Sequence, residues 1–248
     1  MSGHNRWTKI KHKKEAMGAT KGVAFSRISK EITLAARTGG SDLSANFRLR
    51  TAIEAARAVN MPGDTITRAV KKGTGELEGV HYEELKYEGY GSAGVAMIVE
   101  CVTDNKNRTA GEIRSIFTKG GGSLGESGSV AFMFEHKGVI EVKPGPTEDA
   151  VMEVALDAGA DDVINLGDEG FEVRTDFSSL FAVAEKLANK GLKLGESKVR
   201  YLPVNSVALS GEKAEKVLRL ISALEECDDV QNVYANAEFD DASLEAMA

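Results

Sequence analysis

At 248 residues, with 42% hydrophobic and 28% charged positions, the chain has the balance of an ordinary soluble globular protein, as one large domain or two to three small ones. Two cysteines, Cys101 and Cys227, are too few for a disulfide framework or a zinc site, and no apolar run is long enough to span a bilayer. The net charge of −7 hides a segregation: residues 1–75 hold 15 Lys or Arg against 5 Asp or Glu, whereas residues 76–248 hold 16 against 33. A cationic first third on an acidic chain points to a meeting with a polyanion, nucleic acid first, because each neutralised phosphate releases condensed counterions.

The opening segment carries Arg6, Trp7, Lys9, Lys11, Lys13 and Lys14 beside His4 and His12, and continues to Lys21 with few large apolar residues. As a phosphate-binding arm it would place Trp7 to stack on a base; the blander reading is a solvated terminal segment. Phe25, Ile28, Ile32 and Ala35 then recur at helical spacing, with Arg27, Lys30 and Arg37 off that stripe. Gly39-Gly40 ends this helix, and Ser41 to Asn46 reads as a turn. A second helix turns Leu49, Ile53 and Ala56 inward and carries Arg50 and Arg57; Asn60-Met61-Pro62 breaks it. A third holds Ile66 and Val70 inside, with Arg68, Lys71 and Lys72 before Gly73. A helix-turn-helix over residues 45–72 is a weak match at its turn.

From Tyr82 the period becomes extended. Glu84 to Glu88 and Val95 to Val99 read as strands around Gly89-Tyr90-Gly91-Ser92, Arg108 to Lys119 as a helix, and Val130 to Phe134 as a third strand. Next come a strand at Val139–Val142, a helix at Glu148–Ala158, strands at Asp162–Asn165 and Phe171–Arg174, a helix at Ser178–Asn189 and a strand at Lys198–Leu202. That is the β-α-β-β-α-β order of ferredoxin-like domains. Ser206–Leu209, Lys213–Leu224 and Asn232–Ala235 add strand, helix and strand, too little for a domain alone but enough to complete the unit begun at residue 82. The fold class is therefore α+β with three domains: a basic helical domain over 1–78, a discontinuous α/β domain over 79–135 plus 204–240, and a ferredoxin-like domain over 136–203 inserted into it. Residues 241–248 read as a C-terminal tail.

Gly120-Gly121-Gly122-Ser123-Leu124-Gly125 satisfies G-x-G-x-x-G, but a helix precedes it and a strand follows, the reverse of a dinucleotide site. It reads as a flexible loop. His4 and His12 sit among lysines that repel a metal ion, and the acidic pairs lack calcium-loop spacing. Ser127 and Ser129 near His136 lack a group to orient that histidine, so no catalytic constellation forms. No enzyme activity, cofactor or metal is expected.

Several motifs together carry a resemblance. Gly3-His4-Asn5-Arg6-Trp7, Ile10 to Lys14, Asn60-Met61-Pro62, Lys71 to Gly75, Tyr87 to Gly91, Thr103 to Thr109, and Gly121 to Gly125 with Gly128-Ser129-Val130 resemble, in order, the blocks of the YebC-type (YebC/PmpR) family. The departure is Asn5-Arg6, where the family more usually has serine and lysine; arginine keeps the charge. The resemblance implies three domains, the last inserted in the second, and no catalytic residues. It implies a DNA-binding transcriptional regulator, with mitochondrial relatives described as translational activators and bacterial members linked to the ribosome. The expectation is a cytoplasmic, non-enzymatic nucleic-acid-binding regulator of gene expression on duplex DNA. The alternative is a ribosome-associated translation factor on ribosomal or transfer RNA. The expected nucleic-acid contacts are Arg6, Trp7, Lys9, Lys11, Lys13, Lys14, Lys21, Arg27, Arg50, Arg57, Arg68, Lys71 and Lys72. Protein partners would meet the acidic domains, and no membrane is involved.

Overall fold

The computed structural model describes residues 21–79 and 81–246. The protein is α+β, and its contacts divide into two compact units: residues 134–202, and the described residues on either side of them. The second of these combines three helices with an α/β layer.

The helices are α1 (Lys21–Gly39), α2 (Phe47–Ala58) and α3 (Gly63–Gly73). Their shared core is Ile32, Ala35 and Ala36 of α1, Leu49, Ile53 and Ala56 of α2, and Ile66 and Ala69 of α3, with Met61 between. Expected apolar stripes thus do face inward, though Phe25, Ile28 and Val70 are only partly buried. Asn46, expected merely as turn, is a buried helix cap. Its Oδ1 accepts from the Leu49 N–H at 3.0 Å, and its Nδ2 donates to the Ala35 and Gly40 carbonyls, each at 2.8 Å. The break after α2 is also built. Asn60 adopts φ 58°, its N–H meets the Arg57 carbonyl at 3.0 Å, and the Met61 N–H meets the Ala56 carbonyl at 2.9 Å. This Schellman closure satisfies the last carbonyls of α2 before Pro62 opens α3.

In the α/β layer, β1 (Glu83–Tyr90) and β2 (Ala96–Thr103) form an antiparallel hairpin, followed by α4 (Lys106–Lys119) and the two-residue β3 (Ser123–Leu124). After residue 203 come β8 (Val207–Leu209), α7 (Gly211–Glu226), β9 (Val230–Ala235), β10 (Ala237–Phe239) and α8 (Asp241–Ala246). The main sheet has the order β3-β1-β2-β9. Val95, Met97, Val99 and Cys101 pack with Ile113 and Phe117 of α4 and Leu220 and Leu224 of α7. Ala96 and Ile98, which alternate with them, are equally buried, so β2 is covered on both faces and reads as a continuous apolar run.

Three expectations are corrected. Val130–Phe134 is not a strand: Ala131–Met133 is a 3-10 turn, and the strand of that region begins at Phe134. The buried Glu88 carboxylate accepts from the Gly128, Val130 and Ala131 N–H groups at 2.9–3.0 Å, which removes those donors from any ladder. The strand at 206–209 does not complete the main sheet but pairs in parallel with β10. Asn236 causes this: its N–H and side-chain oxygen bind the Ala96 backbone, while its own carbonyl accepts from Val207 at 2.7 Å. Residues 241–246 are no tail but a helix with Leu244 buried.

The other unit contains β4 (Phe134–Val142), α5 (Glu148–Ala158), β5 (Asp162–Asn165), β6 (Phe171–Asp176), α6 (Leu180–Asn189) and β7 (Leu194–Pro203). The sheet order β5-β6-β4-β7 is the ferredoxin-like arrangement that the element order implies. The Thr147 hydroxyl caps α5, and Gly159 closes it at φ 93°. His136, for which the sequence suggests no partner, is stacked between Phe177 and Tyr201 at centroid distances of 4.7 and 4.5 Å.

Candidate nucleic-acid interface

The expected basic residues separate by what they touch. Arg6, Trp7, Lys9, Lys11, Lys13 and Lys14 lie outside the described residues, and Lys21 opens α1. Arg27 is turned towards α7, where its guanidinium donates to the Glu225 carbonyl. Arg50 lies over the Phe47 ring, 4.9 Å from its centroid. Arg57, Arg68, Lys71 and Lys72 are exposed, and none makes an ion pair with another described residue.

Local geometry gathers part of this charge. Arg68, Lys71 and Lys72 are three and four residues apart on α3, opposite the buried Ile66 and Ala69. A Cβ on Gly73 would stand 2.4 Å from the Thr33 carbonyl oxygen and 2.7 Å from the Ala36 side chain, so glycine lets α3 end against α1. The last turns of the two helices therefore meet, with the backbone of exposed Arg37 beside Gly73, which follows Lys71 and Lys72 in the chain. Arg57 likewise occupies the last turn of α2. Cations there suit the partial negative charge of a helix C-terminus, so helix stability alone accounts for part of the pattern. That stabilisation does not require the cationic last turns of two helices to abut.

Other cations of the helical region serve the fold, which their residue type could not reveal. The Lys30 ammonium is buried, donating to Asp229 Oδ1 at 2.8 Å and to the Asp228 and Val102 carbonyls at 2.9 and 3.2 Å. Asp229 Oδ2 accepts from Thr109 at 2.7 Å, Arg108 at 2.9 Å and Thr103 at 3.1 Å. Burial opposes the charge on Asp229, but these donors outweigh it and hold the carboxyl at about 2. Arg48 makes a bidentate pair with Glu31 at 2.6 and 3.1 Å and reaches Glu84 of β1 at 2.7 Å. Lys30 and Arg48 thus fasten the helices to the α/β layer.

Beside this knot opens a cleft of about 810 Å³. Its walls include Asp104, Glu112, Glu226 and Asp228, with Lys119 the cation left after Lys30 and Arg108 are engaged. An acidic wall repels phosphate, so the cleft is not part of the cationic face. Ser129 Oγ is buried and has no hydrogen-bond partner among the described residues. Among those residues no group of three or more His, Cys, Asp or Glu could hold a metal, and no helix is long and apolar enough to cross a membrane.

The fold is α+β, and among the described residues α3 and the ends of α1 and α2 carry exposed cations. Residues 5–76 match the family described as the TACO1/YebC protein N-terminal domain, and residues 82–237 match its second and third domain. A relative from Myxococcus xanthus is 59% identical over 247 residues, covering 100% of this chain and 99% of that protein, and is named a probable transcriptional regulatory protein. One from Desulfatibacillum aliphaticivorans with the same name is 56% identical, covering 98% and 99%. The crystal structure of a conserved hypothetical protein from Aquifex aeolicus superposes with a TM-score of 0.80 at 45% identity, over 90% of this chain and 93% of that one. The chain belongs to the TACO1/YebC family.

Proposed function

We propose that this protein is a non-enzymatic regulator of gene expression that binds nucleic acid through its helical end, as a cytoplasmic transcriptional regulator on duplex DNA. The observation that carries the reading is that Arg68, Lys71 and Lys72 on α3 and Arg37 at the end of α1, which Gly73 lets α3 approach, are exposed and without ion pairs to described residues. Lys30 and Arg48, in contrast, are spent inside the fold. The relatives' names support regulation of transcription. Within this reading, residues 1–78 act as the binding domain, the arm at Arg6 to Lys14 adds phosphate contacts, and the α/β domains at 79–135 plus 204–240 and at 136–203 meet protein partners.

Charge substitution in the intact chain tests it. Replacing Arg37, Arg68, Lys71 and Lys72 by Gln should weaken duplex binding and flatten its salt dependence, the slope of log K against log salt falling by about 0.9 for each phosphate no longer neutralised. Selection from a random duplex library should also enrich a motif. Unchanged affinity and slope would overturn the cationic face as the binding surface. Stoichiometric ribosome association without an enriched duplex motif would move the target to RNA.

A further inference from the structure

We infer that Phe132 is a stacking platform for an unpaired nucleobase, held outward by a loop that Glu88 fixes. The inference rests on the reading that the protein binds nucleic acid, and adds a contact site remote in sequence from the helices. Phe132 is 72% exposed, more than any other large apolar side chain among the described residues. Its neighbours Val130 and Phe134 are buried, so the turn is anchored on both sides and Phe132 alone projects.

The backbone beneath it is fixed with unusual thoroughness. Glu88 is 2% exposed, and its two oxygens accept from Gly128 at 3.0 Å, Val130 at 2.9 Å and Ala131 at 3.0 Å. The Tyr90 hydroxyl donates to the Ser129 carbonyl at 2.9 Å, and the Met133 N–H closes on the Val130 carbonyl at 2.9 Å. Burying a carboxylate is costly unless it is well bonded, and here it holds the turn between buried Val130 and buried Phe134. Besides seating Val130, it fixes the backbone from which Phe132 projects. A ligand meeting a ring on fixed backbone incurs little ordering cost.

The surroundings favour a base over a protein. Gly125, Ser127 and Gly128 of the preceding loop are exposed and small. The exposed apolar neighbour tied to this turn is Val204, whose N–H bonds the Met133 carbonyl at 2.9 Å. Phe132 and Val204, with the partly exposed Ala131 and Met133 of the same turn, fall far short of the roughly 800 Å² that each partner contributes to a standard protein interface. A lone aromatic among glycine and serine suits stacking, because every base has a π-face and needs close approach of its backbone. The nearest charges in sequence are Glu135, Lys137 and Glu126, and Lys137 is paired with Asp161 at 2.8 Å, so the contact does not depend on phosphate.

The test uses the full chain with mixed-sequence single-stranded DNA and RNA oligonucleotides and a perfect duplex. Phe132→Ala should weaken single-strand binding about tenfold, with the salt slope, the duplex affinity and the melting temperature unchanged. Phe132→Trp should retain single-strand affinity, and Phe132→Leu, which has apolar area but no π-face, should lose it as the alanine variant does. The DNA and RNA arms show which strand is preferred. Retained affinity in the alanine or leucine variant overturns stacking, while a loss in the Arg37, Arg68, Lys71 and Lys72 variant would leave the wider function standing. No binding by the unmodified chain would overturn both.

Discussion

Single carboxylates organise this molecule. Asp229 satisfies Lys30, Arg108, Thr103 and Thr109 at once, and removing it would strand a buried ammonium. Asp229→Ala is therefore expected to cost about 3–5 kcal/mol, read by urea unfolding. Because its folded value is about 2 against an ordinary 3.8, the carboxylate is stabilising above the higher value, and that stabilisation is lost as pH falls through the lower one. The window corresponds to about 2 kcal/mol. Unfolding free energies between pH 5 and pH 2 should fall less steeply in Asp229→Asn, and equal slopes would show that Asp229 is not the titrating group. Glu88 obeys the same sign. Burial raises its pKa, but the Val130, Gly128 and Ala131 N–H groups, helped by Lys86, hold it below its ordinary value. Glu88→Gln turns an amide NH₂ towards groups that can only donate. It should cost about 1–3 kcal/mol and speed hydrogen exchange at Val130 and Ala131 while sparing β2.

At the scale of elements, junctions are decided by side chains that composition marks only as loop formers. Asn46 ties the end of α1 to the start of α2 with all its amide atoms bonded. Asn46→Ala should cost about 2 kcal/mol from the lost cap and the carbonyls it leaves unpaired. Asn46→Asp keeps the acceptor for Leu49 but sets a buried carboxylate oxygen against the Ala35 and Gly40 carbonyls, and should cost at least as much in chemical denaturation. The helices were legible because Ile32, Ala35, Leu49, Ile53 and Ile66 recur at the helical period and do form the core. So was the ferredoxin-like unit, whose strands alternate with amphipathic helices. The run Val130–Phe134 reads as a strand because an apolar run resembles one whether or not its N–H groups are free, and Glu88 claims those of Val130 and Ala131 from 42 and 43 residues away. The pairing of β8 with β10 hung on Asn236, a choice between two sheets that no local pattern encodes. Of the candidate surface, the exposed Arg57, Arg68, Lys71 and Lys72 followed from the helical stripe. Arg27 and Lys30, equally basic and equally off that stripe, turned out to face α7 and Asp229. Charge is visible in a sequence, but the partner that neutralises it from a distant element is not.

For the whole molecule, the two compact units make different demands. The cationic helices, the Asp229 knot, the Glu88 clamp and Phe132 all belong to the unit that flanks residues 134–202. Cutting the chain near residue 79 to isolate binding would strip Lys30 from Asp229 and Arg48 from Glu84, so a loss of binding in such a fragment would be confounded by damage to the fold. Removing the other unit is the cleaner operation. The chain leaves at Met133 and returns at Pro203, and the Val204 N–H already bonds the Met133 carbonyl at 2.9 Å. Ends held that close can be joined by a turn of about two or three Gly or Ser residues at little entropic cost. A chain with residues 135–202 so replaced should unfold cooperatively and keep its oligonucleotide affinity and salt slope, since every residue proposed to touch nucleic acid is retained. Circular dichroism, thermal melting and salt-dependent binding would be compared with the full chain. A folded product whose affinity collapsed would assign nucleic-acid binding to the excised unit, and an unfolded one would show that the flanking unit depends on it for stability.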